Sequence, residues 1–277
     1  MTENNLRKKV ADYVMERQCR MGGFCFYRLE EPNGLDTYSA LSVLNLLEAP
    51  FTDEKTVSYL QNMQHDDGSY DSVFSAFYSL KSLQHLHGKP RYDPWPYIMQ
   101  HIRSDHVDAD ILPAEITSVF RRMVFLVDLY NTFKENADEV IEDHFTAVIL
   151  NFYNDDKGFG PHQSTLSETA KALVMLAQLH FPVQSLQTEE FVRECETPMV
   201  GFTDMPRVSL YYLEYVHAGV QASSVMGRPP RYLDQCIAFI KNCQTRTGGF
   251  SRVTHGGIAT LEDTFYAISA LKILSAW

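Results

Sequence analysis

Two hydrophobic patterns alternate along the chain. The first is amphipathic, as in "RYLDQCIAFIKNCQ" (231–244), where apolar residues return every three or four positions with polar ones between. The second is apolar over most of its surface and rich in small residues, as in "LDTYSALSVLNLL" (35–47), "SETAKALVMLAQL" (167–179) and "EDTFYAISALKIL" (262–274). Each amphipathic run leads through a glycine and an aromatic residue into an apolar run. No stretch shows sustained period-two alternation, so the pattern predicts an all-α chain built of helix–turn–helix units.

The Gly-aromatic anchors are Phe24, Tyr70, Phe159, Phe202 and Phe250, separated by 46, 89, 43 and 48 residues. The long gap is close to twice the others, which predicts a degenerate unit near residue 114, around "DADILPAEITSVF". About six units of roughly 45 residues then fill the chain. The apolar helices align position by position: Asp36, Thr37, Ala40, Leu41, Leu44 and Leu47 match Glu168, Thr169, Ala172, Leu173, Leu176 and Leu179. Asp263, Thr264, Ala267, Ile268, Leu271 and Leu274 repeat the same offsets. Pairs with one thoroughly buried member predict two layers, second helices inside and first helices outside. The terminal units are as apolar as the middle ones, so closure of the last on the first is expected, giving one domain over residues 1–277.

Composition narrows the partners. A net charge of −11 makes a broad phosphate-reading surface improbable and argues against nucleic acid. Five cysteines, odd in number and without a CxxC pair, read as reduced buried thiols. The charged N-terminal "MTENNLRKKVADYV" has no apolar core of a signal peptide, and no run approaches the roughly 20 apolar residues that cross a bilayer. A cytoplasmic protein without a transmembrane segment is expected.

"QHDDGSY" (64–70) resembles the QW repeat of squalene and oxidosqualene cyclases, with Tyr in place of Trp. "GGFSRV…LEDTFYAISAL" (248–271) resembles repeats of protein prenyltransferase β subunits. The resemblance spans nearly the whole chain and implies an α/α toroid, a double ring of about six hairpins around an apolar funnel. It implies an isoprenoid substrate, with diphosphate at the positive N-terminal ends of the inner helices. Tyr38, Tyr211, Phe265 and Tyr266 would line the funnel, where aromatic rings attract a carbocation by about 0.5–2 kcal/mol each. Arg252 and His255 resemble the basic and His-Gly elements that hold diphosphate.

The catalytic motifs of these relatives are incomplete. Val208 and Leu210 stand where a prenyltransferase places the Asp and Cys that bind zinc, and Asp263 stands at the His position, so zinc is not expected. Magnesium accompanying a diphosphate is the cofactor the resemblance leaves open. "TLEDT" (260–264) is the closest approach to the cyclase DxDD motif and offers Glu262 and Asp263 but lacks the first acid. Asp263 and Glu262 are therefore the candidate acid or base, and helix capping is the competing role for Asp36, Glu168 and Asp263. His85, His87, His101 and His106 belong to no metal motif and are expected at the surface. Two readings stay open: an enzyme resembling prenyltransferase β subunits, with a second subunit implied, or class II terpene cyclases; and a non-catalytic toroid that binds a hydrophobic ligand or a protein.

Overall fold

The computed structural model describes residues 3–27, 31–104 and 118–276. Among these residues twelve helices occur in pairs. The first members are α1 (Glu3–Met15), α3 (Glu54–Asn62), α5 (Trp95–Ser104), α7 (Glu139–Leu150), α9 (Thr188–Glu194) and α11 (Leu233–Asn242). The second members are α2 (Gly34–Leu46), α4 (Val73–His85), α6 (Arg121–Phe133), α8 (Leu166–Gln178), α10 (Leu213–Val225) and α12 (Leu261–Ile273). Two antiparallel two-residue strand pairs sit in the turns, β1 (Glu196–Thr197) with β2 (Gly201–Phe202) and β3 (Phe250–Ser251) with β4 (Ala259–Thr260). They are local hairpin closures rather than a sheet, too short to leave a period-two signal in the sequence. The segment "DADILPAEITSV" of the expected degenerate unit lies largely outside the described residues, but its inner helix is present as α6.

The chain forms two compact units. Residues 1–97 with 237–277 make the first and 98–236 the second. In the first, α2 packs between α12 and α4; in the second, α8 packs between α6 and α10. Every helix in these two trios is a second member, as the alternating pattern predicts. The first members α1, α3, α7 and α9 pack against α2, α4, α8 and α10.

The repeated residues explain why the units resemble one another. The anchors Phe24, Phe159, Phe202 and Phe250 are fully buried, and Tyr70 nearly so. Three anchor amides donate to the threonine at the same helical position: Phe24 to Thr37 (3.0 Å), Phe159 to Thr169 (2.9 Å) and Phe250 to Thr264 (3.0 Å). These threonines are completely buried, so each hydroxyl satisfies an amide that would otherwise lie orphaned in the core. The small-residue position that reads Ala40, Ala172 and Ala267 is Gly219 in α10, and a methyl there would overlap the Phe202 ring at 2.2 Å. The position is small because an anchor ring occupies the space.

Glutamines at the ends of first members tie neighbouring hairpins. Gln64 donates to the carbonyls of Gly68 (3.0 Å) and Tyr92 (3.1 Å) and accepts from the Tyr92 amide (3.0 Å), linking its own turn to the segment before α5. The last hairpin is joined to the first. Tyr13 of α1 donates to the Ala259 carbonyl at 2.8 Å. Gly248, at φ +97°, lies so close to α1 that a Cβ would come within 2.3 Å of the Lys9 carbonyl oxygen. Closure of the terminal hairpins on each other is present in the first unit.

Candidate functional site: the aromatic face of α12, α2 and α4

The first turns of the three neighbouring inner helices determine where the candidate residues fall. Tyr38, Phe77 and Phe265 are each the fifth residue of their helices. Their rings meet, with Tyr38 5.2 Å from Phe77 and 5.9 Å from Phe265. Farther along, Ser42 of α2 meets His85 at the end of α4 and Lys272 near the end of α12 reaches Glu48 just past α2, so the three helices run in the same direction with their starts near one level. Tyr78 lies 5.8 Å from Tyr38, and Tyr266 lies 6.0 Å from Phe265. Phe77 is buried, whereas Tyr38, Tyr78, Phe265 and Tyr266 are half-buried, so the cluster is a face rather than closed core. Tyr38 is its centre.

The acids sit at the helix starts with defined tasks. Asn33, Thr165 and Thr260 are the N-caps, which places Asp36, Glu168 and Asp263 at the third helical position. Asp36 accepts from the Phe26 amide at 2.9 Å, and Glu168 accepts from the Phe120 amide at 3.2 Å and from Lys171 at 2.7 Å. Asp263 accepts from the Thr260 hydroxyl at 2.7 Å, while its own amide donates back to that oxygen at 2.9 Å. This reciprocal pair is a variant of the capping box. Glu262 takes a different partner: the Tyr266 hydroxyl, one turn on, donates to it at 2.9 Å. The adjacent acids thus diverge, Asp263 toward the cap and Glu262 toward the aromatic face.

Arg252 and His255 both lie exposed in the loop between β3 and β4, the His255 ring 2.9 Å from the Thr254 hydroxyl. Tyr211 belongs to the second unit, just before Tyr212, the N-cap residue of α10. The Tyr212 and Tyr215 rings meet at 5.3 Å, tilted by 47°. Tyr38, Phe265, Tyr266, Glu262, Asp263, Arg252 and His255 all fall in the first unit.

Sequence reasoning missed two parts of this face. Phe77 and Tyr78 were visible in "VFSAFYSLKSL", had α4 been aligned by its start as the other helices were. His85 is not the surface residue expected. The last residue of α4 turns toward α2, where the Ser42 hydroxyl lies 3.1 Å from its Nε2 and the Tyr38 ring 6.2 Å away. Burial, with help from Lys81, pushes its pKa down to about 4, so the imidazole is neutral at ordinary pH. His106 lies outside the described residues. Among the described residues no three His, Cys, Asp or Glu side chains gather as a metal site.

Residues 1–87 and 116–276 match the prenyltransferase alpha-alpha toroid domain. The chain belongs to that family. Its fold is accordingly an α/α toroid of paired helices. Among solved structures it resembles the Candida albicans protein geranylgeranyltransferase-I complexed with GGPP, with a TM-score of 0.71, 14% identity, and coverage of 97% of this chain and 91% of that one. It also resembles a protein from Actinoplanes, with a TM-score of 0.60, 14% identity, and coverage of 99% and 100%. No curated protein matches the sequence.

Proposed function

We propose that this toroid, as a single domain over residues 1–277, binds an isoprenoid diphosphate and acts on it, in the manner of prenyltransferases or terpene cyclases. The observation that carries the reading is the half-buried aromatic face centred on Tyr38. Rings from three adjacent helices form a wall that suits a branched hydrocarbon chain. Their faces favour the positive charge that appears when an allylic diphosphate ionises or an alkene is protonated. The starts of α12, α2 and α4 lie level, so their amide ends favour the diphosphate. Arg252, with its guanidinium, and the His255 ring stand in the loop before α12 as the candidate contacts of the anion, and magnesium would accompany it.

Glu262 is the better placed of the two acids. It shares a hydrogen bond with Tyr266, a member of the aromatic cluster, and can take the proton a carbocation releases. Asp263 has one carboxylate oxygen, Oδ2, committed to the capping pair with Thr260. That same pair favours the second reading, a toroid that binds an isoprenoid or a protein without transforming it. A second subunit belongs to the transferase version of the proposal. Five free, buried cysteines fit a reducing compartment, and the cytoplasm is where we place the protein.

Incubation with geranylgeranyl diphosphate or squalene, with mass analysis of the extracts, separates the readings. The enzyme reading expects a new hydrocarbon, alcohol or prenylated acceptor that Glu262→Gln reduces by roughly 100-fold or more. Unchanged substrate with saturable binding selects the binder.

A further inference from the structure

The first unit contains a recess that adjoins the aromatic face through His85. It is a cavity of about 340 Å³ at the C-terminal turns of α2 and α4. Leu41 and Leu44, both buried, form its apolar floor, with Phe51 and Leu86 among its walls and Glu48 and His85 among its polar groups. An apolar cavity near 150 Å³ holds benzene. By that measure this one has room for roughly twelve heavy atoms.

We propose that the cavity binds a small uncharged alcohol, an apolar body of roughly ten carbons whose hydroxyl hydrogen-bonds to His85. Charge disfavours the alternatives. Among the described residues the lining has no lysine or arginine, and its ionisable side chains are Glu48, His85 and His87. Two helix C-termini add negative partial charge beside the Glu48 carboxylate, which disfavours a carboxylate or phosphate. An ammonium fares little better, because Lys272 already stands 3.1 Å from Glu48 and Lys81 lies one turn before His85. It would compete with a lysine for an exposed carboxylate, a contact worth little in water.

The chemistry of His85 selects the head group. Its Nε2 is engaged with Ser42, and the direction of that bond depends on the tautomer. The remaining nitrogen is therefore either a donor or an acceptor. A hydroxyl serves both cases, whereas a ketone or ether serves one. Burial keeps the ring neutral, so it offers no charge to draw an anion.

The test uses the full chain with ¹³C-labelled histidine rings, titrated with 1-octanol, octanoate and octylammonium. The His85 resonance, identified by its loss in His85→Phe, is expected to shift saturably with 1-octanol and at least tenfold more weakly with either charged probe. Thr52→Trp and Ala49→Phe each place a bulky ring among the lining residues at or near the mouth. Either variant, if it keeps the wild-type circular dichroism, is expected to weaken 1-octanol at least tenfold. No saturable shift, a charged probe that binds as tightly as the alcohol, or unchanged affinity in a folded mouth variant would overturn the proposal. Because no isoprenoid is involved, the result is independent of the function proposed above.

Discussion

Thr37, Thr169 and Thr264 receive the amide of the anchor that precedes them, and each is sealed from solvent. Replacing Thr264 by valine keeps the shape but strands the Phe250 amide, so urea denaturation is expected to show a loss of about 1–3 kcal/mol. Serine at the same site restores the hydroxyl and should recover most of it. Buried His217, in α10, adds a pH dependence. Burial pushes its pKa down to about 4, against about 6.5 in an unfolded chain. As pH falls below about 6.5 the unfolded state takes up the proton first, so stability is lost on the acid side and intact above it. Between pH 7.5 and 5 that loss is about 2 kcal/mol for this histidine, and His217→Gln should flatten the slope by that amount. The threonines were legible as a column in the repeat alignment, but the alignment could not say what they bind. The bond partner comes from a turn ten to fourteen residues earlier, whose path depends on tertiary packing. Likewise, the third-position acids could be placed near a helix start but not divided between capping and chemistry. Thr260 and Tyr266 make that division in space.

Helix pairs, their order and their layering follow from the alternation of amphipathic and apolar runs, because a helix buried on most sides cannot carry a charged face. What spacing alone left undetermined was how one element seats on the next. Gly248 illustrates this, since its residue type signals a turn but not the proximity of Lys9 in α1. Gly248→Ala adds a methyl group 2.3 Å from a backbone oxygen at a positive φ, and is expected to cost about 3 kcal/mol or more. Gly227 shares the left-handed backbone (φ +68°) with nothing within 4 Å, so Gly227→Ala should cost only about 1–2 kcal/mol. A difference between the two in thermal denaturation measures the clamp between the last hairpin and the first. Equal losses would mean that the clamp contributes nothing.

For the whole molecule, the repeat and its apolar terminal units made a closed toroid the expected fold. The family match and the packing of α12 on α2 agree with it. The chemistry was less legible, because the motifs that define activity in relatives are fragmentary here and the aromatic face is assembled from residues more than 200 positions apart. Tyr38 and Phe265 follow the same Asp-Thr pair, but Phe77 follows Ser75-Ala76, so one of the three lacks the local signature. The central claim is that this face holds an isoprenoid. Equilibrium dialysis of labelled geranylgeranyl diphosphate against the intact protein and against Tyr38→Ala tests it most directly. The account predicts saturable binding near one ligand per chain, weakened about tenfold by loss of the central ring, equivalent to about 1.4 kcal/mol. An absence of saturable binding, or an affinity that Tyr38→Ala leaves unchanged, would contradict it.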